Sequence, residues 1–260
     1  MKIAYAGLDL LSPVLDTLIS MGEDIVGVFT CDVDNEFEFN THVIRTAEEN
    51  GIPWTCDRIC AEDIERLIAC GCEALICAAY YYRIPVTDKM YMINVHPALL
   101  PKGRGSWPMP VEIMRGERES GVTFHKIAES FDTGDIILQR SFALDPREDL
   151  ETFTQKIRAC LPDMTRELMS NLPTLCKSAR PQGEGEYLAC PDPSQYVLTP
   201  DTDVSECDRV LRAFAGFECF YDDPVRGRIA LFHGRVSERP SVNSLPVHGG
   251  YIAAERYRNV

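Results

Sequence analysis

Residues Met90–Gly105 have the sequence MYMINVHPALLPKGRG. A short apolar run here contains two polar residues, Asn94 and His96, at alternate positions. Successive side chains of a β-strand point to opposite faces, so the pattern predicts a buried strand that presents Asn94 and His96 on one side. Open α/β sheets bind their ligands at the carboxyl ends of strands, and this strand end is therefore the predicted active site.

Strand and helix patterns alternate before this stretch. Lys2–Ala6 is a short apolar run, apolar residues at helical spacing follow it, and Ile25–Thr30 is the next apolar run. This order predicts a doubly wound α/β fold, a Rossmann-like domain with a mostly parallel twisted sheet. The first turn contains only Gly7 where a dinucleotide fingerprint needs G-x-G-x-x-G, which argues against a nicotinamide or flavin cofactor.

Three further segments carry local signals. Asp32–Asn40 is acidic and irregular, which predicts a surface loop. Within Ser106–Arg115 two prolines occur early, and since proline is tolerated in a first helical turn, we expect a helix that begins near Pro110. Asp145–Glu148 has an aspartate, a proline and a glutamate in capping-box order, which predicts the start of a long helix.

The composition changes over residues 181–190, PQGEGEYLAC, which indicates a linker. We therefore predict a catalytic domain over residues 1–180 and a small, mostly β C-terminal subdomain over residues 191–260, comparable to a truncated OB fold. Its predicted strands are Phe217–Tyr221, Ile229–Phe232 and Gly250–Ala253. Exposed strand edges in this subdomain could pair two copies of the chain as a homodimer.

Charge and hydropathy argue against several classes of protein. The 260 residues include 26 lysines and arginines and 40 aspartates and glutamates, a net charge of −14. Nucleic-acid binding favours clustered basic residues, so a nucleic-acid partner is not expected. No apolar run approaches the ~20 residues that span a bilayer, and the N-terminus lacks a signal-peptide pattern. We expect a cytoplasmic protein without a membrane partner.

The number and positions of the 11 cysteines predict that they are reduced thiols. Their number is odd, and several lie in helical or strand patterns, where cysteine packs as a small hydrophobic residue. Neither the pair Cys56 and Cys60 nor the pair Cys70 and Cys72 has the C-x2-C spacing of structural zinc sites. We therefore expect no metal.

Asn94, His96 and Asp132 together suit the transfer of a carbonyl group. An amide N–H can hold a developing oxyanion, and an imidazole can act as acid or base. A carboxylate can orient the imidazole and favour its charged form.

Each of these residues also has a structural explanation on its own. A histidine at a strand end can be satisfied by hydrogen bonds, and Asn94 or Asp132 can stabilise a turn. Arg104, between two glycines, can be a surface residue or an anion contact. His125 lies in an alternating strand pattern and is expected to be structural.

Five short motifs occur in order along the chain. They are Asn94-Val95-His96-Pro97, Leu99-Leu100-Pro101, Arg104-Gly105, Gly121-Val122-Thr123 and Phe131-Asp132-Thr133-Gly134-Asp135. In this combination the sequence resembles the formyltransferase family that uses 10-formyltetrahydrofolate, which includes methionyl-tRNA formyltransferase and the sugar N-formyltransferases. The resemblance extends from the first strand to about residue 172, and more loosely through Gln182-Gly183 and Tyr187.

The resemblance implies roles for particular residues. Asn94 and His96 would bind the formyl oxygen and assist the amine, and Asp132 would organise His96 and help move the proton. The co-substrate would be 10-formyltetrahydrofolate, and no metal is implied. The pterin would lie against two loops that contain Arg83, Ile84, Pro85, Glu129, Phe131 and Thr133.

The acceptor is expected to be a small-molecule amine, first a nucleotide-linked amino sugar and second an amino-acid or natural-product amine. Residues 186–260 contain eight arginines and eleven acidic residues, so a tRNA footprint is not visible, and this region is short for that role. Methionyl-tRNA formyltransferase, formyltetrahydrofolate hydrolase and a non-catalytic binding protein remain alternatives. The predicted acceptor contacts are Arg104, Trp107 and Tyr81, with Arg226 and Arg228 as diphosphate contacts.

Overall fold

The structure, a computed structural model, describes residues 1–33 and 39–260. The chain forms two compact units. The first unit contains residues 1–105, 121–141 and 156–187, and the second contains residues 106–120, 142–155 and 188–260. The domain boundaries predicted at residues 180 and 191 stay predictions. The loop predicted over Asp32–Asn40 lies largely outside the described residues.

A seven-stranded sheet forms the centre of the fold. Its strands are β1 (Lys2–Gly7), β2 (Asp24–Phe29), β3 (Trp54–Thr55), β4 (Ala74–Ala78), β5 (Tyr91–His96), β6 (Glu119–Lys126) and β7 (Ile136–Ala143). Their order is β3-β2-β1-β4-β5-β6-β7. The strands from β3 to β5 pair in parallel, and β6 pairs antiparallel to β5. The predicted Rossmann-like, mostly parallel sheet is therefore confirmed.

Burial explains why these segments form the sheet. All five residues of β4 are buried, as is typical of a parallel strand covered on both faces. The helices are α1 (Pro13–Ser20), α2 (Thr41–Glu49), α3 (Ala61–Ala69), α4 (Pro108–Arg115), α5 (Leu150–Ser170), α6 (Leu172–Lys177) and α7 (Val204–Ala213). The apolar core beside β4 includes residues that follow it in the chain, Tyr80 and Ile84.

Two predicted helix starts are wrong by two to five residues. Helix α4 begins at Pro108 rather than Pro110, because the first backbone N–H groups of a helix need no internal partner. Helix α5 begins at Leu150 because Asp149 Oδ1 accepts the N–H of Thr152 at 2.8 Å. The predicted capping residues Asp145–Glu148 close a separate turn, in which the side chain of Glu148 accepts the N–H of Asp145 at 2.7 Å.

The second unit is mostly β, as predicted for the C-terminal region. Its strands are β8 (Val197–Leu198), β9 (Cys219–Asp223), β10 (Gly227–Phe232), β11 (Arg235–Ser237), β12 (Leu245–Val247), β13 (Gly250–Ala253) and β14 (Arg256–Asn259). One sheet has the order β14-β10-β9-β8 and another the order β11-β13-β12. Strands β8, β11 and β12 were not predicted, because two or three residues are too few to show alternation. Strand β14 was not predicted because its sequence, RYRN, is mostly polar. Pairing of two copies stays a prediction.

All 11 cysteines are free thiols, which agrees with the prediction of reduced cysteines. Six of them are buried, where they pack as small apolar side chains. Over residues 1–33 and 39–260, no helix combines the length and apolar character that crossing a bilayer requires.

Candidate active site

The carboxyl end of β5 carries two polar side chains on one face of the sheet. Asn94 and His96 are two residues apart, and both have partners on the antiparallel strand β6. Asn94 is the cross-strand partner of His125, and His96 is the partner of Thr123. The alternation of β5 and the alternation of β6 thus bring two histidines and an asparagine together.

Asp132 joins this group from the segment between β6 and β7. Its Oδ2 accepts the backbone N–H of Gly105 at 3.0 Å. Its Oδ1 accepts an N–H from the Asn94 amide at 3.3 Å and lies 3.4 Å from Nδ1 of His96 and 3.6 Å from Nε2 of His125. Asn94 and His96 therefore both lie beside the carboxylate of Asp132, although Asp132 is distant in the sequence.

The hydrogen bond of His96 to Gly103 fixes where its ring carries a proton. Nε2 of His96 lies 2.7 Å from the carbonyl oxygen of Gly103, which can only accept, so Nε2 carries the proton of the neutral ring. Nδ1 is then the basic nitrogen, and it faces Asp132. A proton that arrives at Nδ1 is stabilised by the carboxylate, which makes His96 and Asp132 a proton-accepting pair.

The side chain of Asn94 lies between His125 and Asp132. Nδ1 of His125 donates to the carbonyl of Lys126 at 2.8 Å, so Nε2 of the neutral ring accepts from the Asn94 amide at 3.0 Å. The same Nδ2 of Asn94 donates to Asp132, and a carboxylate cannot donate in return. These contacts fix the orientation of the Asn94 amide.

Burial and neighbouring charges shift the pKa values of His96 and Asp132. Burial lowers the pKa of His96 below its ordinary value, and the charge of Asp132 opposes this shift only in part. Burial acts to raise the pKa of Asp132, but the contact with His125, the charge of His96 and the N–H of Gly105 outweigh it. The pKa of Asp132 is therefore below its ordinary value, and near neutral pH the site holds a carboxylate beside a neutral imidazole.

The two loops predicted to bind the pterin meet in the first unit. Arg83 and Phe131 are exposed, and the guanidinium of Arg83 lies over the ring of Phe131 with its carbon 5.4 Å from the ring centre. Ile84 is buried in the core, and Pro85 is half-buried beside it in the chain. The other predicted contacts, Glu129 and Thr133, are exposed.

The predicted acceptor contacts have partners within their own units. The guanidinium of Arg104 donates to Oε1 of Gln182 and to the carbonyl of Gly183. Tyr81 is 56% exposed. In the second unit, Trp107 packs edge-on against two phenylalanine rings, and Arg226 and Arg228 form ion pairs with adjacent aspartates.

The sequence did not predict two residues of this site. His125 was expected to be structural, but its Nε2 lies within 3.6 Å of Asp132 and its ring is 2% exposed. Its alternation with Thr123 was visible in the sequence, but the pairing register with β5 was not. Gln182, in the predicted linker, donates to the carbonyls of Asp132 and Gly134 at 2.9 and 2.6 Å.

No metal centre is visible in the part of the chain that the structure describes. Among those residues, no group of three or more histidine, cysteine, aspartate or glutamate side chains could hold a metal ion. The side chains around Asp132 themselves offer hydrogen bonding and proton transfer.

Comparison with known proteins gives one consistent relationship. A family profile described as formyl transferase matches residues 13–165, more than half of the chain. Methionyl-tRNA formyltransferase of Ehrlichia chaffeensis is 30% identical over 152 residues, which are 56% of this chain and 50% of that protein. The chain thus spans half the length of that relative.

Two solved structures have a similar fold. HypX from Aquifex aeolicus in complex with tetrahydrofolic acid has a TM-score of 0.72 and 18% identity, and the match covers all of this chain and 44% of HypX. A sugar N-formyltransferase from a Shewanella species has a TM-score of 0.69 and 16% identity, with 89% of this chain and 96% of that chain covered. At these identities the similarity is one of fold.

Proposed function

We propose, from the premise that the chain belongs to the formyl transferase family, that it is an enzyme that moves the formyl group of 10-formyltetrahydrofolate to a primary amine. The convergence of Asn94, His96 and Asp132 carries this proposal. A family member without activity would have no need for a half-buried amide within hydrogen-bonding reach of a buried carboxylate and a buried imidazole. The solved complex of HypX with tetrahydrofolic acid supports a folate co-substrate.

The proposed reaction exchanges one C–N bond for another and moves one proton. The acceptor nitrogen bonds to the formyl carbon and loses a proton, and the bond from the formyl carbon to the folate nitrogen breaks as that nitrogen gains a proton. Nδ1 of His96 can take the proton from the amine, because Asp132 stabilises the imidazolium at 3.4 Å. Nε2–H stays bonded to Gly103, so the ring keeps its orientation throughout.

Asn94 would stabilise the negative charge that develops on the formyl oxygen. Its amide hydrogens already point to His125 Nε2 and Asp132 Oδ1. Binding of the formyl oxygen would therefore replace or share one of these hydrogen bonds. We expect the bond to Asp132 to be shared, because it is the longer of the two, at 3.3 Å against 3.0 Å.

The folate ring system would bind at the two loops that meet at Arg83 and Phe131. These loops present an exposed cation and an exposed aromatic face beside buried Ile84. Such a combination suits a flat heteroaromatic ring with an acidic tail. Backbone groups of residues 129–133 and 83–85 would supply the hydrogen bonds to the ring edge.

A nucleotide-linked amino sugar is the acceptor we favour, and an amino-acid or natural-product amine is second. Ion pairs neutralise several arginines of the second unit: Arg212 with Asp208, Arg226 with Asp223, Arg228 with Asp222 and Arg258 with Glu218. Paired arginines leave little charge for a nucleic-acid backbone, which argues against tRNA. The fold similarity to a sugar N-formyltransferase points the same way.

Methionyl-tRNA formyltransferase is the second candidate, because the relative from Ehrlichia chaffeensis carries that name. Formyltetrahydrofolate hydrolase is the third, since water could replace the amine at the same site. Free thiols in all 11 cysteines favour a reducing compartment such as the cytoplasm, where each of these functions would operate.

Product analysis distinguishes these functions. The full chain is incubated with 10-formyltetrahydrofolate and, separately, amino-sugar nucleotides, amino acids and methionyl-tRNA, and the products are identified by mass spectrometry. We expect a formyl group on an amino-sugar nucleotide. A formylated methionyl-tRNA would replace our acceptor with tRNA, formate alone would indicate a hydrolase, and no turnover with any of them would refute the proposed activity.

A further inference from the structure

Gln182 binds both loops that support the pair of His96 and Asp132. Its Oε1 accepts from Nε and Nη2 of Arg104 at 3.0 and 2.9 Å. Its Nε2 donates to the backbone carbonyls of Asp132 and Gly134 at 2.9 and 2.6 Å. The two donor and two acceptor positions of the amide are therefore all in use, and the amide can have only one orientation.

The backbone around Gln182 is fixed on both sides. Arg180 exchanges two backbone hydrogen bonds with Ile136, at 2.8 and 3.0 Å. Glu186 donates its N–H to the carbonyl of Pro101 at 3.1 Å and accepts the N–H of Arg104 at 3.0 Å. The Gln182 side chain thus extends from a segment that is anchored to the start of β7 and to the loop after β5.

The loop on one side of Gln182 contacts both titrating residues. The carbonyl oxygen of Gly103 accepts a hydrogen bond from Nε2–H of His96, and the N–H of Gly105 donates to Oδ2 of Asp132. Arg104 lies between these two glycines, and its guanidinium is held by Gln182. Displacement of Arg104 would therefore move the partners of His96 and Asp132 together.

The loop on the other side contains Asp132 in an unusual backbone conformation. Its φ is 55°, in the left-handed region that few residues other than glycine adopt. Such a conformation persists only when surrounding contacts hold it. The hydrogen bond from Gln182 to the Asp132 carbonyl acts directly on this residue.

We propose that Gln182 is a positioning residue that holds the Asp132 carboxylate against His96 by joining the Arg104 loop to the Asp132 turn. This inference rests on the formyl transfer proposed above. Gln182 has no expected contact with the reacting atoms, so it acts through Asp132 and Arg104. Without it, Asp132 would turn away from Nδ1 of His96 and the proton-accepting pair would be lost.

The test replaces Gln182 with methionine, which has a similar length and cannot form these hydrogen bonds. We expect kcat to fall roughly 10- to 100-fold, as misplaced catalytic groups commonly cause. KM for 10-formyltetrahydrofolate should change by a smaller factor, because Gln182 has no hydrogen bond to the other pterin loop, residues 83–85. With Asp132 displaced, less negative charge supports the His96 imidazolium, so the acid limb of the pH profile of kcat should move to lower pH. Gln155→Met, at an exposed glutamine of α5, is the matched control.

A second variant, Gln182→Glu, keeps an acceptor for Arg104 but places an oxygen against the carbonyls of Asp132 and Gly134. It should lose kcat as Gln182→Met does. Histidine 15N NMR of the full chain without substrates should show a downward shift of the His96 titration in Gln182→Met, which a merely structural residue would not cause.

Wild-type kcat in both variants, with an unchanged His96 titration, would overturn the positioning role. So would a loss of activity with no change in the pH profile or in the His96 titration. A wild-type chain that formylates no amine would instead refute the proposed function, and the NMR titration would still decide the role of Gln182. The two failures are therefore distinguishable.

Discussion

Asn94 and His125 face each other as direct partners across the antiparallel strands β5 and β6, with Asn94 Nδ2 3.0 Å from His125 Nε2. The pair lies next to Asp132, with His125 buried and Asn94 half-buried, and the hydrogen bond between them couples the orientation of one side chain to that of the other. Because Nδ1 of His125 is bonded to the Lys126 carbonyl, the neutral ring presents Nε2 as an acceptor to Asn94. His125 thereby helps to hold the amide that we assign to the formyl oxygen.

Two substitutions of His125 test the roles of its two ring nitrogens separately. Glutamine places an oxygen near the position of Nε2 and keeps an acceptor for Asn94, whereas asparagine places its amide near Nδ1 and keeps only the Lys126 contact. We expect His125→Gln to retain most formyl transfer and His125→Asn to lose about 10-fold or more, as misplacement of a catalytic group does. Steady-state rates measure this difference, and equal rates in the two variants would contradict the role of Nε2.

Asp132→Asn removes the charge of the carboxylate and preserves its shape. We expect formyl transfer to fall by about 10²- to 10⁴-fold, the usual contribution of a general acid–base group. The fold and the affinity for tetrahydrofolate should change little, because the Asp132 side chain contacts Asn94 and the N–H of Gly105, whereas the pterin is expected to bind backbone groups of the loop. Circular dichroism and calorimetric titration with tetrahydrofolate provide the controls. A variant that turns over normally would exclude Asp132 from catalysis.

Stability should depend on the titration of His96. Burial lowers its pKa in the folded protein. Between that value and the unfolded pKa of about 6.5, the unfolded chain binds a proton that the folded chain does not. The stabilisation is therefore complete above about pH 6.5 and is lost as the pH falls through the folded pKa.

His96→Gln keeps a donor for the Gly103 carbonyl and removes the titration. Melting temperatures measured from about pH 7 to about pH 5 should fall less steeply in this variant than in the wild-type chain. His248→Gln, at a side chain that is 76% exposed, is the matched control and should keep the wild-type slope. Parallel pH profiles for His96→Gln and wild type would mean that burial does not perturb His96.

Gly134 allows the Asp132 turn to pack against β6. A Cβ added at Gly134 would overlap the carbonyl oxygen of Lys126, which is a backbone atom that a rotamer change cannot move. We expect Gly134→Ala to lower the free energy of unfolding by about 1–3 kcal/mol, as overpacking does, and to reduce formyl transfer by displacing Asp132.

Urea denaturation measures the stability change at Gly134. Gly27→Ala is the control, because the nearest atom to its added Cβ is 3.9 Å away. Unchanged stability and unchanged activity in Gly134→Ala would show that the turn can relax without cost.

Local sequence patterns predicted part of the candidate site. The rest depends on contacts between residues that are distant in the sequence. Alternation along β5 was enough to place Asn94 and His96 on one face. Asp132 could be grouped with Asn94 and His96 on chemical grounds, but family resemblance was needed to prefer a catalytic role, because a turn aspartate before Thr-Gly is common. The strand that carries His125 was predicted, but the register that sets it opposite Asn94 depends on the folded sheet.

Tertiary contacts explain the remaining differences. Gln182 lies in a segment that looked like a linker, and no local signal shows that its side chain reaches the carbonyls of Asp132 and Gly134. At the start of α5, the predicted cap Asp145 belongs to a separate turn, and Asp149 caps the helix instead. The fold class was predictable because it depends on repeated patterns, whereas these details depend on single contacts.

Transfer of a 13C-labelled formyl group from 10-formyltetrahydrofolate, followed by NMR, tests formyl transfer at Asn94, His96 and Asp132 most directly. With the wild-type chain and the best acceptor amine, the label should move from the folate nitrogen to the acceptor nitrogen, and Asp132→Asn should leave it on the folate. Three results would contradict formyl transfer at this site. They are label that stays on the folate with the wild-type chain, label that appears only as formate, and label that moves equally fast in Asp132→Asn.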